Sequence, residues 1–481
     1  MKFTNNYEAN VKMFRDAFDR AAPFKIKEIK NKYNPDLKIA IAIINCMINN
    51  DVVDRDIIIP LANNPVSESI EQSEMSAICT HSTEFQTDAD LAFISVASGD
   101  CAVIIGDNDS VVIIDTKGFS QRSVDAPEIE LSVAGPSEGF NENIMTNLGL
   151  VKRRISTPRF KSEFMSIGKQ SNIKYCICYI EGIVKPELVK RLKERLEQID
   201  IDAIGDTNYL AELIRDNKSS FIKTYGKTNR PDVFCAKMLE GRVGIILNGS
   251  PTALTLPYLF IENFQNPDDY YINCWYANVG RVLRLLGFYL SFLIPSVYIS
   301  VLLHHQSMIP PEWLYSISAS QNGVPIPSLL EMLLLFGVFE ILRETGARMP
   351  SSIGLALNIV GAIILGQAAV DAKLVSAPMV IVVAFSGVMG LMVYDLKGAV
   401  FYVRAALIVL GALAGLPGVL IGFALFMLLL FSMSSMGVPI MYTYSTLSRY
   451  GKSDTFFRAP IEKMNFRQPE FTDNIKRQGR V

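Results

Sequence analysis

Between Val282 and Ser434 the sequence strings together apolar runs long enough to span a bilayer, and this constrains the fold more than any other feature. Val282–Leu303 holds about 22 residues and carries no charge after Arg284. At ~1.5 Å per residue a helix of that length crosses the hydrocarbon core. Ser328–Leu342 is apolar except for Glu331 and Glu340, and Ile353–Val370 and Ser376–Tyr394 are further spans. Phe401–Ser434 is too long for one upright span. Pro417 breaks it into either a tilted, kinked helix or a tight hairpin.

Charge sets the orientation of such a bundle. Arg281 and Arg284 precede the first span, and the loop 304–327 holds no Lys or Arg. Arg343 and Arg348 follow the second span, Asp371 and Lys373 punctuate the next turn, and Lys397 and Arg404 follow the fourth. The tail 435–481 adds Arg449, Lys452, Arg458, Lys463 and Arg467. This alternation predicts both termini in the cytoplasm and an even number of crossings, four or six.

The first 26 residues carry charges throughout and lack the apolar core of a secretory signal, so the N-terminal region is expected to stay in the cytoplasm. A formal charge of −2 over 481 residues gives no net pull toward nucleic acid. The seven cysteines form no framework, and Cys176 and Cys178 read as small apolar filler on one strand face.

The predicted fold class is an α+β membrane protein: an N-terminal cytoplasmic α/β region of two subdomains, then an α-helical transmembrane bundle. Residues 1–85 read as helices and loops, with helical periodicity near Leu37–Asn49. The first subdomain, 86–165, contains a strand–turn–strand unit in CAVIIGDNDSVVIIDT from Cys101. The second, 166–266, has a strand at Ile173–Ile180 and an amphipathic helix at Lys185–Gln198 with Pro186 in its first turn. A short strand, a helix around Tyr209–Asp216 and strands at Val243–Asn248 and Ala253–Tyr258 complete it. The bundle occupies 280–434 and a basic tail 435–481.

Polar groups inside apolar spans are the strongest chemical signal, because a charge in hydrocarbon costs at least ~2.5 kcal/mol unless sheltered. Glu340 and Glu344 share a helix face, and Arg343 and Arg348 stand at pairing distance from them. Glu331, Asn358, Gln367 and Asp371 complete the candidate set. These residues either line a hydrated path or form structural pairs between helices. Gly354 and Gly361 recur at seven, and Gly411 with Gly415 and Gly418 with Gly422 form Gly-x-x-x-Gly units that admit close helix approach. Gly451-Lys452-Ser453 lacks the glycine and preceding strand of a phosphate loop. His304-His305 reads as an interfacial pair, not a metal site. No catalytic, metal or cofactor site is expected.

Several long stretches carry a family resemblance: IDTKGFSQRSVDAPEIELSVAGPSEGFNENIMTNLGLVKRRI, RPDVFCAKMLEGRVGIILNGSPTALTLP, NPDDYY, GVPIPSLLEMLLLFGVFEILRETGARMP and IVGAIILGQAAVDAKLVSAPMVIVV. Through them the chain resembles the A subunit of GerA-type spore germination receptors, a family that also includes SpoVAF. The resemblance runs from about Cys101 to Ser434. It implies the inner membrane of a bacterial endospore, with the soluble region facing the core. It also implies a transporter-like B subunit that senses the nutrient, a C lipoprotein, and a homo-oligomer of A subunits forming a nutrient-gated ion channel. One departure is Ser-Gln-Asn-Gly at 320–323, where an Arg and an acidic residue are expected before Val-Pro. A gated cation channel subunit, a non-conducting scaffold that relays a signal from the sensor, and a SpoVAF-like accessory channel protein all fit this sequence. The only other partner expected is membrane lipid.

Overall fold

The computed structural model describes residues 2–66, 83–116, 135–218, 220–348, 364–442 and 454–477. Ser67–Ser73, Asn358, Gly354, Gly361 and Gly451-Lys452-Ser453 lie outside them.

Alternation builds the first subdomain. In KIAIAII, Ile39, Ile41 and Ile43 point to one face and Ala40, Ala42 and Ile44 to the other, and both faces are covered. This is strand β2 (Lys38–Ile44), paired antiparallel with β1 (Phe24–Lys30) and with β4 (Cys101–Ile105). Strands β3 (Thr83–Gln86) and β5 (Val111–Ile114) complete an antiparallel sheet ordered β1-β2-β4-β5-β3. Helices α1 (Tyr7–Ala17) and α2 (Ala89–Ala97) cover the alanine face through Phe14 and Phe93, whose rings meet edge-on at 5.0 Å. Two expectations are corrected here. The segment 1–85 is not helix and loop alone but contributes three of the five strands, and no subdomain boundary falls at 85. Burial on both faces hid the two-residue period and left a pattern equally compatible with a helix.

The second sheet runs β6 (Phe160–Ile167), β7 (Ile173–Ile180), β9 (Val243–Leu247), β10 (Ala253–Leu256) and β8 (Gly226–Thr228), again antiparallel. Helices α3 (Ile144–Arg154) and α6 (Pro231–Leu239) cover the Cys176/Cys178 face; α4 (Pro186–Glu197) and α5 (Thr207–Ile214) cover the other. The unit therefore begins before residue 166, because α3 and β6 belong to it. The expected short strand after α4 is not formed; the edges of the sheet are β6 and β8.

The helical region begins with α7 (Cys274–His304), which leaves the soluble domain, and continues through α8 (Pro311–Gln321), α9 (Ser328–Arg348) and α10 (Ala377–Leu391). Segment α11 (Lys397–Ser432) is a hairpin. Gly415 has φ +66° and ψ −153°, a conformation reserved for glycine, and Pro417 opens the second leg. The legs press together. A Cβ at Gly418 would collide with the Leu410 carbonyl, and one at Gly422 would lie 2.6 Å from Leu407. A Cβ at Gly411 would lie 2.9 Å from Ser296 O of α7. Gly411, Gly418 and Gly422 stand at these contacts between helices, and Gly415 stands at the turn beside His304 and His305. His304 Nε2 lies 2.7 Å from Ala412 O, and His305 accepts from Leu416 N, so the histidine pair closes the turn.

Among the described residues, two helical stretches, Cys274–His304 and Tyr394–Ser432, are long and apolar enough to cross a membrane by length and composition. Asp395, before the hairpin, pairs with Lys223 of the soluble domain, and Ser434, after it, binds Asp216 there. The hairpin thus leaves from and returns to the end of the bundle that holds the domain.

Candidate functional site

The soluble domain and the helices share one hydrophobic core. Phe260 and Phe264, just past β10, stack edgewise on Phe288 of α7, which meets Phe292 and the hairpin's Phe426 at 5.3 and 6.4 Å. The hairpin's exit is also fixed by hydrogen bonds. Tyr258 N donates to Ser435 Oγ, and Phe260 N donates to Ile440 O. Asp216 accepts from Ser434 Oγ, Met436 N and Gly437 N and pairs with Arg195 at 2.5 Å.

Burial alone would raise the Asp216 carboxyl, but the donors from Ser434, Arg195 and Gly437 outweigh it and hold the group below the ordinary carboxylate range. A lowered folded-state pKa adds stability that is present above the unfolded value, about 3.9, and is lost as pH falls through the folded one. Asp216→Asn is therefore expected to lower the unfolding midpoint at pH 7. Thermal scans of the purified chain check this, and the wild-type and variant curves should converge as pH falls through the lowered folded-state value.

An ionic network sits where α7 leaves the domain. Arg281 donates through Nε to Asp269 at 3.0 Å and through Nη1 to Asp454 at 2.7 Å, and Arg284 binds Asp269 as well. Arg458 Nη1 reaches the carbonyls of Asp269 and Ile272. Beside the network, Glu262 is buried between Lys237 and Arg242. Burial would raise its carboxyl, yet the two cations keep it lowered. A cleft of ≈ 380 Å³ lies against this network, walled by Lys223, Tyr258, Tyr270, Asp395, Asp454 and Phe466.

The tail is corrected by these contacts. Residues 454–477 are not a free basic extension but a strap on the second subdomain. Phe471 is fully buried, its carbonyl accepts from Lys185 N, and Arg467 Nε donates to Leu239 O.

The candidate polar residues of the helices separate into three environments. Glu331 is 1% exposed and accepts from Ser376 N and Oγ at 2.5 and 2.7 Å. It joins α9 to α10 and does not face outward. Glu340 is partly buried and paired with Arg343; Glu344 is exposed and paired with Arg348. Gln367 and Asp371 are exposed. Sequence reasoning placed Arg281, Arg284 and Arg404 as flanking charges. In the structure all three turn inward, and Arg404 is 3% exposed. Asp454 and Asp269 carry no local signal as partners, since they meet Arg281 only through the fold.

Comparison with known proteins adds the following. The family model described as Bacillus/Clostridium GerA spore germination protein matches residues 12–470. Spore germination protein KA of Bacillus subtilis (strain 168) is 34% identical over 90% of this chain and 81% of its own length. GerQA of Bacillus cereus is 34% identical over 76% of this chain and 74% of its own. YfkQ of Bacillus subtilis (strain 168), described as an uncharacterized membrane protein, is 30% identical over 85% and 80%. Among solved structures, the N-terminal domain of the A subunit of the Bacillus megaterium spore germinant receptor GerK3 aligns with a TM-score of 0.41. It has 25% identity and covers 54% of this chain and 98% of that one.

Proposed function

The chain belongs to the GerA family of spore germination proteins, and from that premise we propose that it is the A subunit of a nutrient germinant receptor. In this reading it spans the spore inner membrane with both termini on the core side. It works with a transporter-like B subunit and a C lipoprotein, and its copies assemble into a nutrient-gated cation channel. One observation supports conduction best. Glu344, Gln367 and Asp371 stand exposed in the helical region of the single chain. Bare lipid is a costly neighbour for them, whereas further copies around a hydrated path would shelter them and favour cations. Spores carrying Glu340→Gln with Glu344→Gln should release cations more slowly on germination at normal chain level; unchanged flux would refute the assignment.

A second reading, a non-conducting relay, draws on the continuous core between Phe260 and Phe426. A core shared by domain and hairpin transmits displacement whichever subunit carries the ions.

A further inference from the structure

Arg404 is a buried charge of the helical region without an ion pair among the described residues. It lies ~10 Å along the first leg of the hairpin from Lys397, at ~1.5 Å per residue. Its guanidinium rests 4.4 Å from the Phe336 ring centroid on α9. A Cβ added at Gly390 of α10 would lie 3.3 Å from its Nη2, so the guanidinium packs closely against the α10 backbone there. Among the described residues no hydrogen bond or ion pair reaches the guanidinium, and its Nε is enclosed without an acceptor.

A carboxylate stands close by with half its capacity unused. Glu340 binds Arg343 one turn along α9, while its Oε1 is buried and meets no donor. The charges of both Glu340 and Arg343 act on Arg404. One carboxylate is thus bonded to an arginine of its own helix and within electrostatic reach of a second on the hairpin. A ring face offsets only part of the desolvation of a guanidinium, and a buried cation left unpaired weakens the arrangement that leaves it so. A small shift of α9 against the hairpin, or a new rotamer of Glu340, would relieve it.

We infer that Glu340 is an exchangeable partner, bound to Arg343 in the arrangement seen and transferred to Arg404 when the bundle changes state. The pair Glu340–Arg404 then stabilises the second state and ties α9 to the hairpin, whose exit is fixed to the soluble domain. This inference rests on the gated-bundle reading above and names its regulation. A ligand on a partner subunit biases the exchange only by its differential affinity for the two states.

The test compares Glu340→Gln, Arg404→Met and the charge-swapped Glu340→Arg/Arg404→Glu chain in spores that retain the partner subunits. Potassium release is followed in complete growth medium, with chain level checked by immunoblot. Each single variant should slow release about 5- to 150-fold, the range of a coupling between two states, and the swapped chain should recover most of it. A parallel measurement needs no conduction. In thermal scans of the purified chain, Glu340→Gln should lower the midpoint, and adding Arg404→Met to it should restore the midpoint. Coupling in both assays with no ion flux from the wild-type chain in liposomes would remove the channel reading and leave the exchange intact. Additive midpoints with wild-type release rates, or a swapped chain no better than its parents, would overturn the exchange while leaving conduction untouched.

Discussion

Replacing Arg281 by alanine will lower the unfolding free energy of the purified chain by about 3–5 kcal/mol, the cost of stripping a buried carboxylate of its cation. Arg281 is 2% exposed and is the shared partner of Asp269 and Asp454. Its loss leaves Asp269 with Arg284 and the Asn266 amide, and Asp454 with the Tyr270 hydroxyl. The effect should be local first. Asp454 anchors the start of the strap, so the strap's amides, Phe471 included, should exchange with solvent before the sheets do. Denaturant unfolding of wild type and variant, with hydrogen exchange read by mass spectrometry, measures both. A loss under 1 kcal/mol would mean that the network contributes little.

Gly418→Leu will prevent the two legs of the hairpin from closing. Its Cβ position is taken by the Leu410 carbonyl and lies 3.0 Å from Ala414 Cβ, so backbone, not a movable side chain, is in the way. Overpacking of a tight contact costs about 1–3 kcal/mol and more where backbone cannot yield. The hairpin's exit carries Ser434 and Ser435 into the soluble domain, so the damage should spread there. The expected result is little folded chain in detergent, read by size-exclusion chromatography and intact-protein yield. Gly398→Leu, at a position open to space, serves as the matched control and should accumulate normally.

Much of this architecture was legible residue by residue. The Pro186 helix, the strands flanking Gly106 and a break at Pro417 all announce themselves through local backbone chemistry. What escaped depends on partners distant in sequence. The KIAIAII segment of β2 lost its alternation because helices cover both faces of its sheet. Arg281 and Arg404 look like ordinary flanking cations until the fold brings Asp454 to the first and encloses the second. Glu331, chosen for a path, is taken up by Ser376, 45 residues away. Glu340 and Glu344 do pair with Arg343 and Arg348 as their helical spacing implied, because such pairs are fixed within one helix.

The domain and the hairpin are held together by the Phe260–Phe288–Phe426 cluster and the Asp216 bonds. Whether this chain carries ions is decided by potassium flux from liposomes holding only the purified chain. A conducting chain will leak cations selectively, and Glu340→Gln with Glu344→Gln will suppress that leak at equal reconstitution. A wild-type chain that assembles in the bilayer and passes no more cation than empty liposomes would contradict the channel reading.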